Sequence, residues 1–205
     1  MADNTIVIWA SDNAAALLQG RVSGSNGPWR GYFGGGWEGS IRTPCIVRWP
    51  DHIPAGVVRD GIVATYDWLP TLAALIDEID RVPTDRPIDG LDLAPFLRGE
   101  VESPREHFLF LGTDAEVVSV KWKTMKVHFR YTETDSWTVP MVKPQIPSVY
   151  DLHADPAETQ NLMDTDLTVT WVIGQAMRPL VELGQSAAQF PHVPVGEDFD
   201  GYDPS

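Results

Sequence analysis

The chain opens on an apolar run, Ile6-Val7-Ile8-Trp9-Ala10, that breaks abruptly into the polar trio Ser11-Asp12-Asn13. A run so rich in β-branched and aromatic residues predicts a strand buried on both faces of a parallel sheet. A short helix is expected at 14–18. Glycines at 20, 24, 27, 31 and 34–36 then come too densely for regular structure, and a second apolar strand follows at Cys45–Trp49.

From Asp67 the period changes. Leu69, Leu72, Ala73 and Ile76 share one helical face, Asp67 is placed to cap it, and Pro70 sits in the first turn, where its missing N–H does no harm. Asp77, Glu78 and Asp80 oppose the helix dipole at its end, which predicts a solvated terminus. The stretch 81–89, with Pro83 and Pro87, reads as a loop, and 91–97 as a short helix ended by Gly99. Beyond it the period is two. Strands are expected at 108–111, 116–120, 121–131 and 148–152, with stripes Val118-Val120-Trp122 and Met125-Val127-Phe129-Tyr131 about a hairpin at Lys123-Thr124. A helix with Trp171, Ile173, Met177, Leu180 and Val181 on its apolar face is predicted over 167–183, interrupted by Pro179. The pattern divides the chain into 1–100, an α+β unit at 101–190 and a poorly ordered tail at 191–205.

Composition narrows the function. A chain of 205 residues with 43% hydrophobic content can bury its own core. A net charge of −14 argues against nucleic acid and anionic lipid as partners, since phosphate binding needs a basic surface. No apolar run reaches membrane-spanning length, and no signal peptide is visible. The single cysteine excludes an internal disulfide and leans the compartment toward the cytoplasm without fixing it.

Candidate chemistry gathers where the first strand ends. Asp12 and Asn13 offer a carboxylate and an amide oxygen, hard donors suited to calcium or magnesium, at the strand end where α/β sheets collect ligands. The same dipeptide also serves as ordinary turn and capping chemistry. The glycine-rich stretch lacks the Gly-Lys-Ser/Thr of a phosphate-binding loop; it reads either as a flexible loop anchored by Trp29, Tyr32, Phe33 and Trp37 or as a pocket wall. Cys45, inside an apolar run, reads as a small buried hydrophobe. His52, His107, His128, His153 and His192 show no metal-ligand spacing and read as structural or exposed, with His107 placed to line a cleft.

Several segments together carry a resemblance. Ser11-Asp12-Asn13, Asn26-Gly27-Pro28-Trp29-Arg30-Gly31 and Trp37-Glu38-Gly39-x-x-Arg42-x-Pro44 resemble the second half of a type I (arylsulfatase-like) sulfatase. The likeness continues through Ile46-Val47-Arg48-Trp49-Pro50, Asp67-Trp68-Leu69-Pro70-Thr71-Leu72, Ile88-Asp89-Gly90-Leu91-Asp92 and Tyr150-Asp151-Leu152-His153-Ala154-Asp155-Pro156-Ala157-Glu158, collinear from about residue 4 to 165. It implies an α/β fold of the alkaline phosphatase-like superfamily. Residues 1–100 would form the end of a large mixed sheet, and 101–190 a small α+β subdomain with an antiparallel sheet.

The resemblance further implies a sulfuric ester hydrolase in which formylglycine attacks sulfur while calcium holds the sulfate oxygens, with Asp12 and Asn13 as metal ligands. The Cys- or Ser-x-Pro-x-Arg motif that yields formylglycine does not occur in these 205 residues. The chain is therefore expected to be a C-terminal portion, inactive alone, and its status as an enzyme is left open. Phe33 stands where the family places a sulfate-binding lysine, which leaves Arg30 as the candidate substrate-binding cation. Two donors fall short of the about six to eight that calcium takes, so weak binding by this chain alone is expected. Two alternatives stand beside this reading: a non-catalytic assembly module pairing with an N-terminal sulfatase half, or a phosphonate or phosphodiester hydrolase of the same superfamily.

Overall fold

The computed structural model describes residues 2–16, 24–112, 116–133 and 139–191. Two sheets organise them. The first is a two-stranded antiparallel ribbon of β1 (Val7–Ala10) and β2 (Cys45–Arg48), in the register Val7↔Arg48 to Ala10↔Cys45. The second has four antiparallel strands in the order β3-β4-β5-β6: His107–Leu111, Val117–Trp122, Met125–His128 and Ser148–Asp151. The helices are α1 (Trp68–Leu75), α2 (Ala94–Arg98) and α3 (Trp171–Gln189).

The antiparallel sheet follows from period-two alternation. Lys123 turns the β4–β5 hairpin at φ +54°. Val120, Val127 and Val149 pack beneath Val172 and Ala176 of α3, with Met163 completing the cluster. One stripe departs from expectation. The β3–β4 register passes from Phe110↔Ser119 to Leu111↔Val117, so Val118 is an extra residue in β4. Such a bulge breaks the alternation. Val117 joins Val120 against the α3 cluster, whereas Val118 lies against the glycine loop, within 2.3 Å of where a Cβ on Gly36 would be.

A second cluster forms around Trp49, Leu75 and Ala94, joining β2's end to α1 and α2. Gly99 ends α2 at φ +87°, the left-handed cap that glycine accepts most readily. A buried ion pair ties the two regions together. Asp67 accepts from the Ala64 and Leu91 amides, both at 2.8 Å, and bonds Arg105 through both carboxylate oxygens.

Several expectations are corrected. β1 is not a buried parallel strand: it pairs antiparallel, and Val7, Trp9 and Ile46 on one face of the ribbon are exposed. Its apolar run matches a covered strand, but among the described residues only Ile6, packed on the Trp49 cluster, and the half-buried Ile8 find cover, and the Val7 and Trp9 face finds none. Cys45 is exposed for the same reason. Asp67 makes no side-chain cap to α1; its carboxylate is spent on Arg105 and the two loop amides. Leu69 and Ile76, placed at helical spacing with Leu72 and Ala73, face solvent, because α1 buries Pro70, Thr71 and Leu75 instead. The helix expected at 91–97 begins only at Ala94, after an Asp92 side-chain turn. Pro179 does not interrupt α3, which continues to Gln189 and buries Val172, Ala176 and Pro179, leaving Trp171, Met177 and Val181 exposed. Residues 14–16 form no helix; the rest of the helix expected at 14–18, His192 and most of the expected tail lie outside the described residues.

Candidate functional site

The end of β1 is held by local polar bonds. The Ser11 amide donates to the Pro44 carbonyl at 3.4 Å, and the Ser11 hydroxyl donates to the Asn13 carbonyl at 2.9 Å. This leaves Asp12 and Asn13 on an exposed bend.

The next residues are clipped to the glycine loop by Asn26. Its side-chain oxygen accepts from the Ala15 amide at 2.7 Å, and its NH₂ donates to the carbonyls of Ala15 and Gly31 at 3.1 and 2.8 Å. The Phe33 amide donates to the same Ala15 carbonyl at 3.3 Å. Asp12 and Asn13 are thereby brought within a few residues of the Phe33 backbone, although about twenty residues separate them in sequence. Gly31, at φ +97°, makes the turn this requires, and a Cβ there would stand 2.7 Å from the Trp37 Cβ.

Arg30 is held elsewhere. Its guanidinium lies 3.8 Å from the Trp37 ring centroid, and Nη1 donates to the Glu158 carbonyl at 3.3 Å. Phe33 keeps 41% of its surface exposed and brings neither charge nor side-chain donor to the loop.

Beneath the loop lies a buried charge cluster that sequence reasoning missed. β4 and β5 turn Ser119, Lys121, Lys126 and His128 to one face, since Ser119 pairs with His128 and Lys121 with Lys126. The turn Glu38–Ser40 lies on that face. Glu38 takes Lys121 at 3.0 Å, Lys126 at 3.3 Å and Arg42 at 3.1 Å. Glu158, reaching in from beyond β6, accepts from the Glu38 amide at 2.6 Å through Oε1, and its Oε2 lies 2.6 Å from His128 Nε2. Lys126 Nζ stands 3.4 Å from Glu158 and 3.7 Å from the Phe110 ring centroid. Glu38, Lys126, His128 and Glu158 are all essentially without exposed surface.

Burial tends to raise the Glu38 carboxyl, but the Lys126 and Lys121 ammoniums outweigh it and hold the group below its ordinary value. Glu158 behaves alike, with Lys126 and the His128 hydrogen bond opposing burial. Burial pushes His128 below the usual histidine range, against the pull of Glu158, which favours the neutral ring donating from Nε2. Lys126 is likewise pushed down by burial and held up by the two carboxylates.

The signal for this cluster was present but split. Glu38 and Glu158 sit in the motifs Trp37-Glu38-Gly39 and Asp155-Pro156-Ala157-Glu158, while Lys126 and His128 occupy polar positions that alternate with the apolar stripe of β5. His107 is half-buried in β3 opposite Trp122, and His52 stacks on Trp49 with ring centroids 3.9 Å apart.

As a cation site, the donors of Asp12 and Asn13 fit in kind but not in number. No group of three or more His, Cys, Asp or Glu side chains suited to a metal occurs among the described residues. The arrangement sets two hard donors beside a clipped glycine loop, with a buried ionic cluster under the loop.

Comparison with known proteins finds relatives for most of the chain. A family model described as N-sulphoglucosamine sulphohydrolase, C-terminal, matches residues 31–185. Human (Homo sapiens) arylsulfatase A is 30% identical over 195 residues, covering 88% of this chain and 38% of that protein. Mouse (Mus musculus) steryl-sulfatase is 39% identical over 127 residues, covering 60% of this chain and 20% of that protein. The solved structure of the PsFucS1 sulfatase from Pseudoalteromonas sp. superposes with a TM-score of 0.83 at 26% identity, over 94% of this chain and 39% of that one. The chain thus spans about a fifth to two fifths of the length of these relatives.

Proposed function

The chain belongs to the sulfatase family, which it matches over the family's C-terminal region, and we propose that it carries one half of a sulfuric ester hydrolase site. The observation that carries this reading is the Asn26 clip, which holds the segment after Asp12 and Asn13 against the loop from Gly31 to Phe33. Asp12 and Asn13 would hold calcium through carboxylate and amide oxygens. When bound, the ion offsets negative charge on the sulfate oxygens. The nucleophile and the remaining metal ligands come from residues beyond these 205. The ribbon supports this division, because a two-stranded sheet with one apolar face open to solvent is marginal alone and gains stability from further strands.

Within the site the loop forms a wall and Phe33 excludes water where the family's lysine would place charge. Loss of one such electrostatic contact typically costs about 3 kcal/mol of transition-state stabilisation. Arg30 is the candidate replacement, and its guanidinium would have to leave the Trp37 ring and the Glu158 carbonyl to reach an ester.

Thermal unfolding across a calcium titration tests the metal half: the midpoint rises for the native chain and stays fixed for Asp12→Ala. A calcium-blind midpoint in the native chain overturns that half. Hydrolysis of 4-nitrophenyl sulfate tests the rest, with no turnover by the chain alone and turnover once a polypeptide bearing Cys- or Ser-x-Pro-x-Arg is supplied. Turnover by the chain alone refutes the division, and a parallel phosphonate ester assay identifies the ester class.

A further inference from the structure

We infer that Glu158 is a positioning residue for the loop from Arg30 to Arg42, so that the C-terminal sheet and its following turn set the shape of the substrate wall. The inference rests on the reading of that loop as part of an ester site, but its geometry stands independently. Glu158 makes four contacts to the loop and its base, one of them the 3.4 Å ion pair with Lys126. Oε1 accepts from the Glu38 amide at 2.6 Å, Oε2 meets His128 Nε2 at 2.6 Å, and its own carbonyl accepts from Arg30 at 3.3 Å. The two contacts to the loop join positions 120 and 128 residues apart.

The backbone is bent to deliver them. Glu158 has φ +52°, a region that a side-chain-bearing residue occupies at a cost and that glycine or asparagine would fill more readily. A prepared turn holds it there: the Glu158 amide donates to the Asp155 carbonyl, and the Asp155 carboxylate accepts from the Thr159 and Gln160 amides. A left-handed, fully buried glutamate is a poor choice for closing a turn and a good one for presenting two carboxylate oxygens at fixed points. Charge-assisted bonds of this kind are about twice as strong as neutral ones.

The groups facing Glu158 come from every element around it: Glu38 and Arg30 from the loop, Lys126 and His128 from β5, and Tyr150 from β6. Removing its charge therefore acts on the loop through Glu38, and only weakly on the α3 face of the sheet, where Val127 and Val149 lie.

The test is amide hydrogen exchange on the full chain, comparing 30–42 with α3 and β6 as internal reference. Glu158→Gly relieves the backbone while deleting the carboxylate. We expect protection at Glu38 and Gly39 to fall at least tenfold further than in α3 and β6, which share only the overall loss of stability from unpairing Lys126 and His128. Unchanged loop protection, or an equal loss in α3, overturns the proposal.

Glu158→Gln retains an acceptor but not the charge, and reports even where the glycine variant fails to fold. In the native chain, loop protection relative to α3 falls as pH drops through the acidic carboxylate range. In Glu158→Gln that dependence is flattened; an unaltered pH profile refutes the role. Neither arm requires calcium binding or ester hydrolysis, so failure here is separable from failure of the sulfatase reading.

Discussion

Lys126 shows at the residue scale how polar this interior is. An ammonium with no exposed surface sits between two carboxylates and over the Phe110 ring. Breaking a buried pair by removing one partner leaves uncompensated charge and typically costs about 3–5 kcal/mol. Lys126→Met, close to lysine in volume, leaves Glu38 and Glu158 without their shared cation. It is expected to lower stability by about 3 kcal/mol in urea unfolding, and a loss below about 1 kcal/mol would show that Lys121 and Arg42 suffice. The sequence displayed Glu38 and Glu158 inside recognisable motifs but gave no sign of their meeting, because a contact across 120 residues leaves no local period. Asp67 shows the same limit: its position before a helix suggested a cap, and only the fold brings Arg105 to it.

At the element scale, the antiparallel sheet was legible because alternation is a short-range property of strands with one apolar face. The bulge at Val118 was not, since an inserted residue preserves composition while shifting every side chain before it. That bulge makes Gly36 necessary. A Cβ there would lie 2.3 Å from Val118 Cγ1, while the Gly36 carbonyl accepts from the Ser119 hydroxyl at 2.9 Å. Gly36→Ala is expected to destabilise by about 1–3 kcal/mol through overpacking, measured as a lower denaturant midpoint at unchanged slope. The double variant Gly36→Ala with Val118→Ala should recover part of the loss, because the clash is with that methyl. β1 was misread because an apolar run looks alike whether its cover lies inside the described residues or outside them.

Across the whole molecule, two apolar clusters, one under α3 and one around Trp49, Leu75 and Ala94, are accompanied by buried charge at Glu38–Lys126–Glu158 and Asp67–Arg105. Acid therefore acts on the structure directly. His128 is depressed in the folded state, so its contribution is complete above about pH 6.5 and erodes as pH falls below that value. Glu38 and Glu158 are depressed too; their contribution is present above about pH 4.3 and is lost as pH falls through their lower folded values. Calorimetry in a pH series should show the melting temperature falling gently below about pH 6.5 and steeply below about pH 4.3, with Glu158→Gln removing part of the steep limb. A profile flat down to about pH 4 would contradict the depressed histidine. No described helix is long and apolar enough to cross a membrane, so the exposed Val7, Trp9 and Ile46 belong to no spanning helix. They lie on a ribbon whose two outer strand edges pair with no further strand among the described residues, a shape that templates the addition of like strands. Handled by itself, the polypeptide should behave as a function of its own concentration: monomeric when dilute, then clouding as ribbons stack edge to edge, with a net charge of −14 slowing that process at low salt and ceasing to do so as salt rises.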